Sequence, residues 1–206
     1  GTLRYGELIL AHGAQAALPA GLPAALCWRI NHLGAYQKLR AALGDVPKDV
    51  LVIGAGLGGS GLANDLALGG HRITLLDVQA APLARWPVEQ AGGPLLAAWQ
   101  GLPIRFLGCA TVNAVVRDAQ GRYRVDTACG QQIEADQVIV CSGLQTPPRL
   151  ARSAGLAWQG GIAVDAATLR TSDPHIHALG DCISVNGQVS RFIEPIRIRA
   201  GVQFWR

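Results

Sequence analysis

Three glycines carry the most specific chemistry in this chain. Gly54, Gly56 and Gly59 are spaced G-x-G-x-x-G and directly follow Val-Leu-Val-Ile, residues 50–53. A short apolar run of this β-branched kind reads as a buried parallel strand. Gly54 then permits the tight turn out of the strand, Gly56 lets a pyrophosphate approach the backbone, and Gly59 lets the next helix pack close. That helix is expected from about Gly59 to Leu68, with Leu62, Ala63 and Leu66 inward and Gly69-Gly70 stopping it. Asp77 closes a second apolar run, Ile73 to Leu76. It lies about twenty residues after the glycines, where a carboxylate accepts from a ribose 2′-hydroxyl. Strand, turn, helix, second strand and terminal acid together mark a dinucleotide site; a glycine-rich turn alone would not. The carboxylate repels a 2′-phosphate, and the next arginine is Arg85, across a proline-containing loop. NAD is therefore expected over NADP.

The elements around this motif alternate between helix and strand periods. Leu8 to Ala11 reads as a strand that breaks at Gly13, and residues 14–27 as an Ala/Pro/Gly-rich loop. Asn31 is the expected N-cap of a helix carrying Leu33, Tyr36, Leu39, Arg40 and Leu43, ended by Gly44. After Asp77 come an irregular loop with Pro82 and Pro87, a helix over about Leu95 to Gln100, and a strand from Ile104 to Leu107. The period then changes to two. Val112, Ala114 and Val116 alternate with polar neighbours, as do Tyr123, Val125 and Thr127, and Gln132 to Ala135 follows the Gly130 turn. This predicts an antiparallel meander inserted in an α/β unit. Another buried strand, Asp136 to Ser142, ends at Gly143. Ile162 to Val164 and His177 to Leu179 are further short strands, the second running into Gly180-Asp181-Cys182. A carboxylate at such a strand end is where an open α/β sheet holds the polar groups of a ligand. The strands Leu8–Ala11 and His177–Leu179 are each expected to need a parallel neighbour that this chain does not supply.

Composition narrows the function classes. Half of the residues are hydrophobic and 16% are charged, which describes a folded globular chain. No apolar run reaches the length of a membrane span and no signal peptide is visible, so a cytoplasmic protein without membrane contact is expected. Cys27, Cys109, Cys129, Cys141 and Cys182 are widely spaced, without a C-x-x-C or C-x₄-C pair; free buried thiols in a reducing compartment are expected, not a redox dithiol, zinc site or disulfide framework. His175 and His177 have no cluster to complete a metal set, so no metal is expected. The net charge is +4, and residues 149–206 hold seven arginines against four acids. That is too sparse for nucleic acid, but leaves a modest basic surface. The chain contains no methionine and begins mid-pattern, with Thr2 to Leu10 already approaching a strand. An internal portion of a longer protein is expected.

Taken together, these pieces resemble the FAD- and NAD(P)-dependent pyridine nucleotide oxidoreductases, and among them the rubredoxin–NAD reductases. Tyr5-Gly-Glu-Leu-Ile-Leu-Ala-His-Gly13 is similar to the family strand that returns beneath FAD, and Ile30-Asn-His-Leu-Gly-Ala-Tyr to its lead-in helix. Residues 50–77 resemble the NAD half, with Val138-Ile-Val-Cys-Ser-Gly143 as its exit strand. Gly161-Ile-Ala-Val-Asp165, Thr171-Ser172 and Ala178-Leu-Gly-Asp-Cys182 resemble the second FAD signature. The resemblance implies an α/β fold: a Rossmann-like NAD domain over residues 48–142 with the inserted meander, and an incomplete Rossmann-like FAD domain formed by residues 1–47 and 143–206. It implies Gly13, Gly143, Gly180 and Asp181 as cofactor-binding residues beside Gly54, Gly56, Gly59 and Asp77. Asp181 would hydrogen-bond the FAD ribityl chain, and Ile193 would offer a backbone contact near the flavin ring. Hydride would pass from NADH to FAD, and single electrons would leave to a small acidic iron–sulfur protein, a rubredoxin or ferredoxin. No catalytic side chain is then required, since the cofactors carry the chemistry.

Two departures qualify the implied roles. The family usually has a glutamate two residues beyond the last motif glycine, at the flavin–nicotinamide junction, where this chain has Gly61. The family's first FAD half-domain, with its own G-x-G-x-x-G, and its C-terminal interface domain have no counterpart in this sequence. The chain by itself is expected to bind FAD poorly and to lack NADH-oxidising activity. The alternatives are a ferredoxin reductase component of an oxygenase, a nitrite-reductase-type flavin domain, or a non-catalytic dinucleotide-binding remnant.

Overall fold

The computed structural model describes residues 1–191. Ile193 lies outside them. The chain forms two compact units: a larger one, Ala16–Gly143, and a smaller one in which Gly1–Gln15 joins the chain from Leu144 onward.

The larger unit is built on four parallel strands in the order Ile104–Leu107, Arg72–Leu76, Asp49–Ile53, Gln137–Val140. Asp49–Ile53 is central and is covered on both faces, so its apolar run is continuous instead of alternating. Leu51 and Ile53 face one core, with Val138, Val140, Val115, Val125 and Ile133. Val50 and Val52 face the other, with Ile139, Leu39, Leu43, Ala63, Leu66 and Trp99. The first layer is the expected meander, Val112–Arg117, Tyr123–Thr127 and Gln132–Ala135, paired antiparallel in chain order. The second is helical, formed by Leu33–Leu43, Leu57–Leu68 and Gly92–Ala98.

Three local expectations are corrected. The helix Leu33–Leu43 is capped by His32, not Asn31: His32 is extended at φ −153 and its Nδ1 accepts from the Ala35 amide at 3.1 Å. The glycine-loop helix begins at Leu57, two residues early, because Gly56 already serves as its N-cap. The third helix starts at Gly92, where a side chain would not fit: a Cβ there would lie 2.7 Å from the Pro82 carbonyl oxygen.

The first division of the chain falls between residues 15 and 16, earlier than the expected boundary after residue 47. Residues 16–47 belong with the sheet because Trp28 pairs beside Ile139 and donates from Nε1 to the Gln137 Oε1 at 2.6 Å. Leu22 and Cys27 are buried with the meander core, but Cys109 and Cys129 are exposed, against the expectation of buried thiols.

In the smaller unit, Leu8–Leu10 pairs in parallel with Ile176–Ala178. The two flanking strands thus supply each other with the neighbour that neither was expected to find in this chain. Ile162–Val164 pairs in parallel with Ile183–Val185. Ile162, Ile176, Ala178, Cys182 and Ile183 form a core of their own. Among the described residues no helix is long and apolar enough to cross a membrane.

Candidate functional site: the glycine turn

The strand Asp49–Ile53 ends at Gly54, whose φ of +104 is accessible essentially to glycine. The turn is clamped against the neighbouring strand ends. The Gly54 amide donates to the Leu76 carbonyl at 2.7 Å, and a Cβ on Gly54 would sit 2.5 Å from the Cys141 carbonyl oxygen. Gly59 faces the same crossing from the helix side, and a Cβ there would run into the Gly54 carbonyl. Gly54 and Gly59 are therefore required by the fold. Gly56 is not: it is exposed, its φ is −71, and a Cβ would meet nothing within 4 Å. Its bareness serves whatever approaches from outside.

What approaches there meets the start of the Leu57–Leu68 helix. The first intrahelical bond runs from the Ser60 amide to the Gly56 carbonyl at 2.9 Å, leaving the amides before it without helical partners. Unpaired amides and the helix dipole favour an anion at this position. Cys141 packs under the turn as an inert apolar group, its thiol pushed up to about 11 by burial.

Asp77 follows the strand Arg72–Leu76 and is half-buried beside the turn. Its Oδ2 accepts from the Ala55 amide at 2.5 Å and its Oδ1 from the Gln79 amide at 2.8 Å. Each oxygen keeps a lone pair, so the carboxylate can still accept from a hydroxyl. Gly143 stands just beyond the strand Gln137–Val140 with φ +92, and its carbonyl accepts from the Ala17 amide at 2.9 Å. Five expected site residues, Gly54, Gly56, Gly59, Asp77 and Gly143, thus lie in the larger unit, at the carboxyl ends of its strands.

Gly13, Gly180 and Asp181 lie in the smaller unit. Gly180–Cys182 is a single 3₁₀ turn that follows the strand Ile176–Ala178. The Asp181 carbonyl accepts from the Thr146 hydroxyl at 2.9 Å and from the Arg191 Nε at 3.3 Å. Its half-buried carboxylate makes no hydrogen bond among the described residues. Arg191, which the sequence did not single out, also donates to the Leu144 carbonyl at 3.2 Å, the Thr146 hydroxyl at 3.3 Å and the Gly160 carbonyl at 2.5 Å. It ties the 144–146 segment and Gly160 to the Asp181 turn. Its one sequence signal is the excess of arginines after residue 149, which says nothing of which one is committed inward.

Comparison with known proteins places this geometry. The family described as pyridine nucleotide-disulphide oxidoreductase matches residues 1–198. A nitric oxide reductase FlRd-NAD(+) reductase of Aeromonas salmonicida is 40% identical over 205 residues, covering 97% of this chain and 51% of that protein. The crystal structure of the ferredoxin reductase for the CYP199A2 system of Rhodopseudomonas palustris is 28% identical, with a TM-score of 0.84, covering 95% of this chain and 49% of that one. Putidaredoxin reductase, in its covalent complex with putidaredoxin, is 25% identical with a TM-score of 0.81, covering 89% and 45%. The chain spans about half the length of the curated relatives it matches.

Proposed function

Because the chain belongs to the pyridine nucleotide-disulphide oxidoreductase family, FAD- and NAD(P)H-dependent enzymes, we propose that it forms the NADH-binding part of a flavoprotein reductase that delivers electrons to a small iron–sulfur protein. The observation that carries this reading is the glycine turn with Asp77 at the neighbouring strand end. The turn and the helix amides of residues 57–59 receive the pyrophosphate. Gly56 leaves the space it needs, and Asp77 accepts from the adenosine ribose and disfavours a 2′-phosphate.

FAD is assigned to residues of the smaller unit. Asp181 fits that role: its backbone is fixed by Thr146 and Arg191, while its carboxylate has no hydrogen bond among the described residues and can accept from ribityl hydroxyls. Gly13 and Gly180 bend the chain beside it with φ of +69 and +78, and Gly143 ends the exit strand of the larger unit. Ile193 keeps its proposed role from the resemblance alone. The chemistry FAD supplies when bound is conversion of a two-electron hydride into single electrons; the protein contributes binding and orientation.

The relatives support a partner of this kind: one is a ferredoxin reductase and another a complex with putidaredoxin. A rubredoxin- or ferredoxin-type protein with an acidic face suits the arginine excess after residue 149. The FlRd-NAD(+) reductase relative favours the rubredoxin-type acceptor, and the two solved structures favour an oxygenase ferredoxin.

Gly56→Ala tests the carrying observation, since its Cβ enters the ligand's space without meeting protein atoms within 4 Å. NADH affinity, read by fluorescence titration, is expected to fall at least about tenfold while the unfolding midpoint stays near that of the unaltered chain. Unchanged affinity would contradict the assignment of the turn.

A further inference from the structure

The peptide at Ala55, in the middle of the glycine turn, is held on both of its polar groups. Its amide donates to the Asp77 Oδ2 at 2.5 Å. Its carbonyl accepts from the Ser60 hydroxyl at 3.1 Å and from the Leu83 amide at 2.8 Å. Ser60 is buried at 4% exposure and lies behind the turn. Leu83 reaches Ala55 from a left-handed conformation, φ +55, which a leucine adopts only when its surroundings impose it. Asp77 is itself fixed: its amide donates to the Leu107 carbonyl at 3.0 Å, its carbonyl accepts from the Ala110 amide at 2.9 Å, and its Oδ1 takes the Gln79 amide. The segment 77–83, which reads in the sequence as an acid followed by an irregular loop, is thus bound to the turn at both ends.

We propose that Asp77 and the 77–83 segment act on the nucleotide a second time, through Ala55, by holding the glycine turn in the conformation that receives the pyrophosphate. The inference rests on the proposed NADH reading of the turn. It makes Asp77 a positioning residue for the phosphates as well as a direct acceptor for the ribose. The two roles differ in sign for an anionic ligand. A carboxylate acting only as a charge near the phosphates weakens their binding, so its removal would strengthen it. A carboxylate acting as a splint strengthens binding, so its removal loosens the turn and weakens it.

The experiment compares NADH with an analogue lacking the adenosine 2′-hydroxyl, titrated into the chain and its Asp77→Ala, Asp77→Asn and Ser60→Ala variants. The analogue cannot receive the 2′-hydroxyl contact, so a remaining loss of affinity on removing Asp77 passes through the turn, whereas a gain reports its charge alone. Asp77→Ala is expected to weaken the analogue about tenfold, the scale of one lost charge-assisted hydrogen bond. Asp77→Asn keeps one acceptor oxygen, which holds the Ala55 amide only by giving up the Gln79 amide, and is expected to weaken the analogue by no more than about threefold. Ser60→Ala, too deep to touch ligand, is expected to weaken both nucleotides alike, by roughly threefold. Hydrogen exchange at the Ala55 amide is expected to quicken in Asp77→Ala and not in Asp77→Asn. Analogue affinity equal or tighter in Asp77→Ala would overturn the inference while leaving the nucleotide reading in place. An unaltered chain that binds neither probe would overturn both. Should Asp77→Ala not fold, Ser60→Ala decides: affinities equal to those of the unaltered chain would overturn the inference.

Discussion

At the scale of single residues, the glycines of the turn separate into those the fold needs and those it does not. A Cβ on Gly59 would collide with the Gly54 carbonyl, whereas Gly56 and Gly61 have open space around them. Gly59→Ala is therefore expected to lower unfolding free energy by at least about 2 kcal/mol, as overpacking against immovable backbone does, measured by denaturant titration. Gly61 lies in the second turn of the Leu57–Leu68 helix, where glycine costs helix stability relative to other residues. Gly61→Glu, which installs the residue usual in the resembled family, is expected to raise stability by about 0.5–1 kcal/mol in the same titration. A loss of stability there would show that the bare helix face is structural. The motif spacing already separated the roles, Gly54 for the turn, Gly59 for helix packing and Gly56 for the ligand; what it could not show is the backbone crossing at which a Cβ on Gly54 or Gly59 meets immovable atoms.

At the scale of elements, the parts legible in the sequence were those with an unbroken local period. The meander was readable because Tyr123–Thr127 alternates and turns flank it, and the central strand because Val50–Ile53 is uniformly apolar and its glycine exit is distinctive. The expected inward set Val112, Ala114, Val116 is corrected, since a bulge between Val112 and Ala114 turns Val115 inward and leaves Val116 exposed. Residues 16–28 were not readable. They have no period, and their place beside Gln137–Val140 depends on long-range bonds such as that of Trp28 with Gln137. The pairing of Leu8–Leu10 with Ile176–Ala178 was hidden for the same reason, being a contact between strands some 170 residues apart in register. Where strands Asp49–Ile53 and Arg72–Leu76 begin, His71 is buried at 4% exposure, and its Nδ1 accepts from the Lys48 amide at 3.2 Å. Burial, with Arg40 and Lys48 nearby, holds its pKa below the ordinary histidine value, so the native state keeps it neutral. The unfolded chain takes up a proton below about pH 6.5 and the folded chain only lower. Its contribution is therefore complete above about pH 6.5 and is lost as pH falls towards the lower folded value. Thermal midpoints measured from about pH 7.5 to about pH 5 are expected to fall, and His71→Phe to flatten that part of the profile. An identical slope in the variant would remove His71 from the account.

At the scale of the whole molecule, the two compact units divide the expected ligand contacts. The larger one carries the complete glycine turn, its acid and the strands that hold them; the smaller one carries the Asp181 turn and its Arg191 tie. The fold class was legible because the G-x-G-x-x-G and the G-D-C turn each sit at a strand end, and strand ends are where such sheets place ligand groups. Binding of NADH by the larger unit, in preference to NADPH, is the property from which the proposed function follows. The most direct measurement is titration of the purified chain with each nucleotide under identical conditions, repeated with Asp77→Ala. The account predicts NADH affinity higher than NADPH affinity by at least about tenfold, because a carboxylate facing a 2′-phosphate is repulsive while the same group accepts from a hydroxyl. It also predicts that Asp77→Ala narrows the gap. Equal or tighter binding of NADPH by the unaltered chain, or a gap untouched by Asp77→Ala, would contradict it.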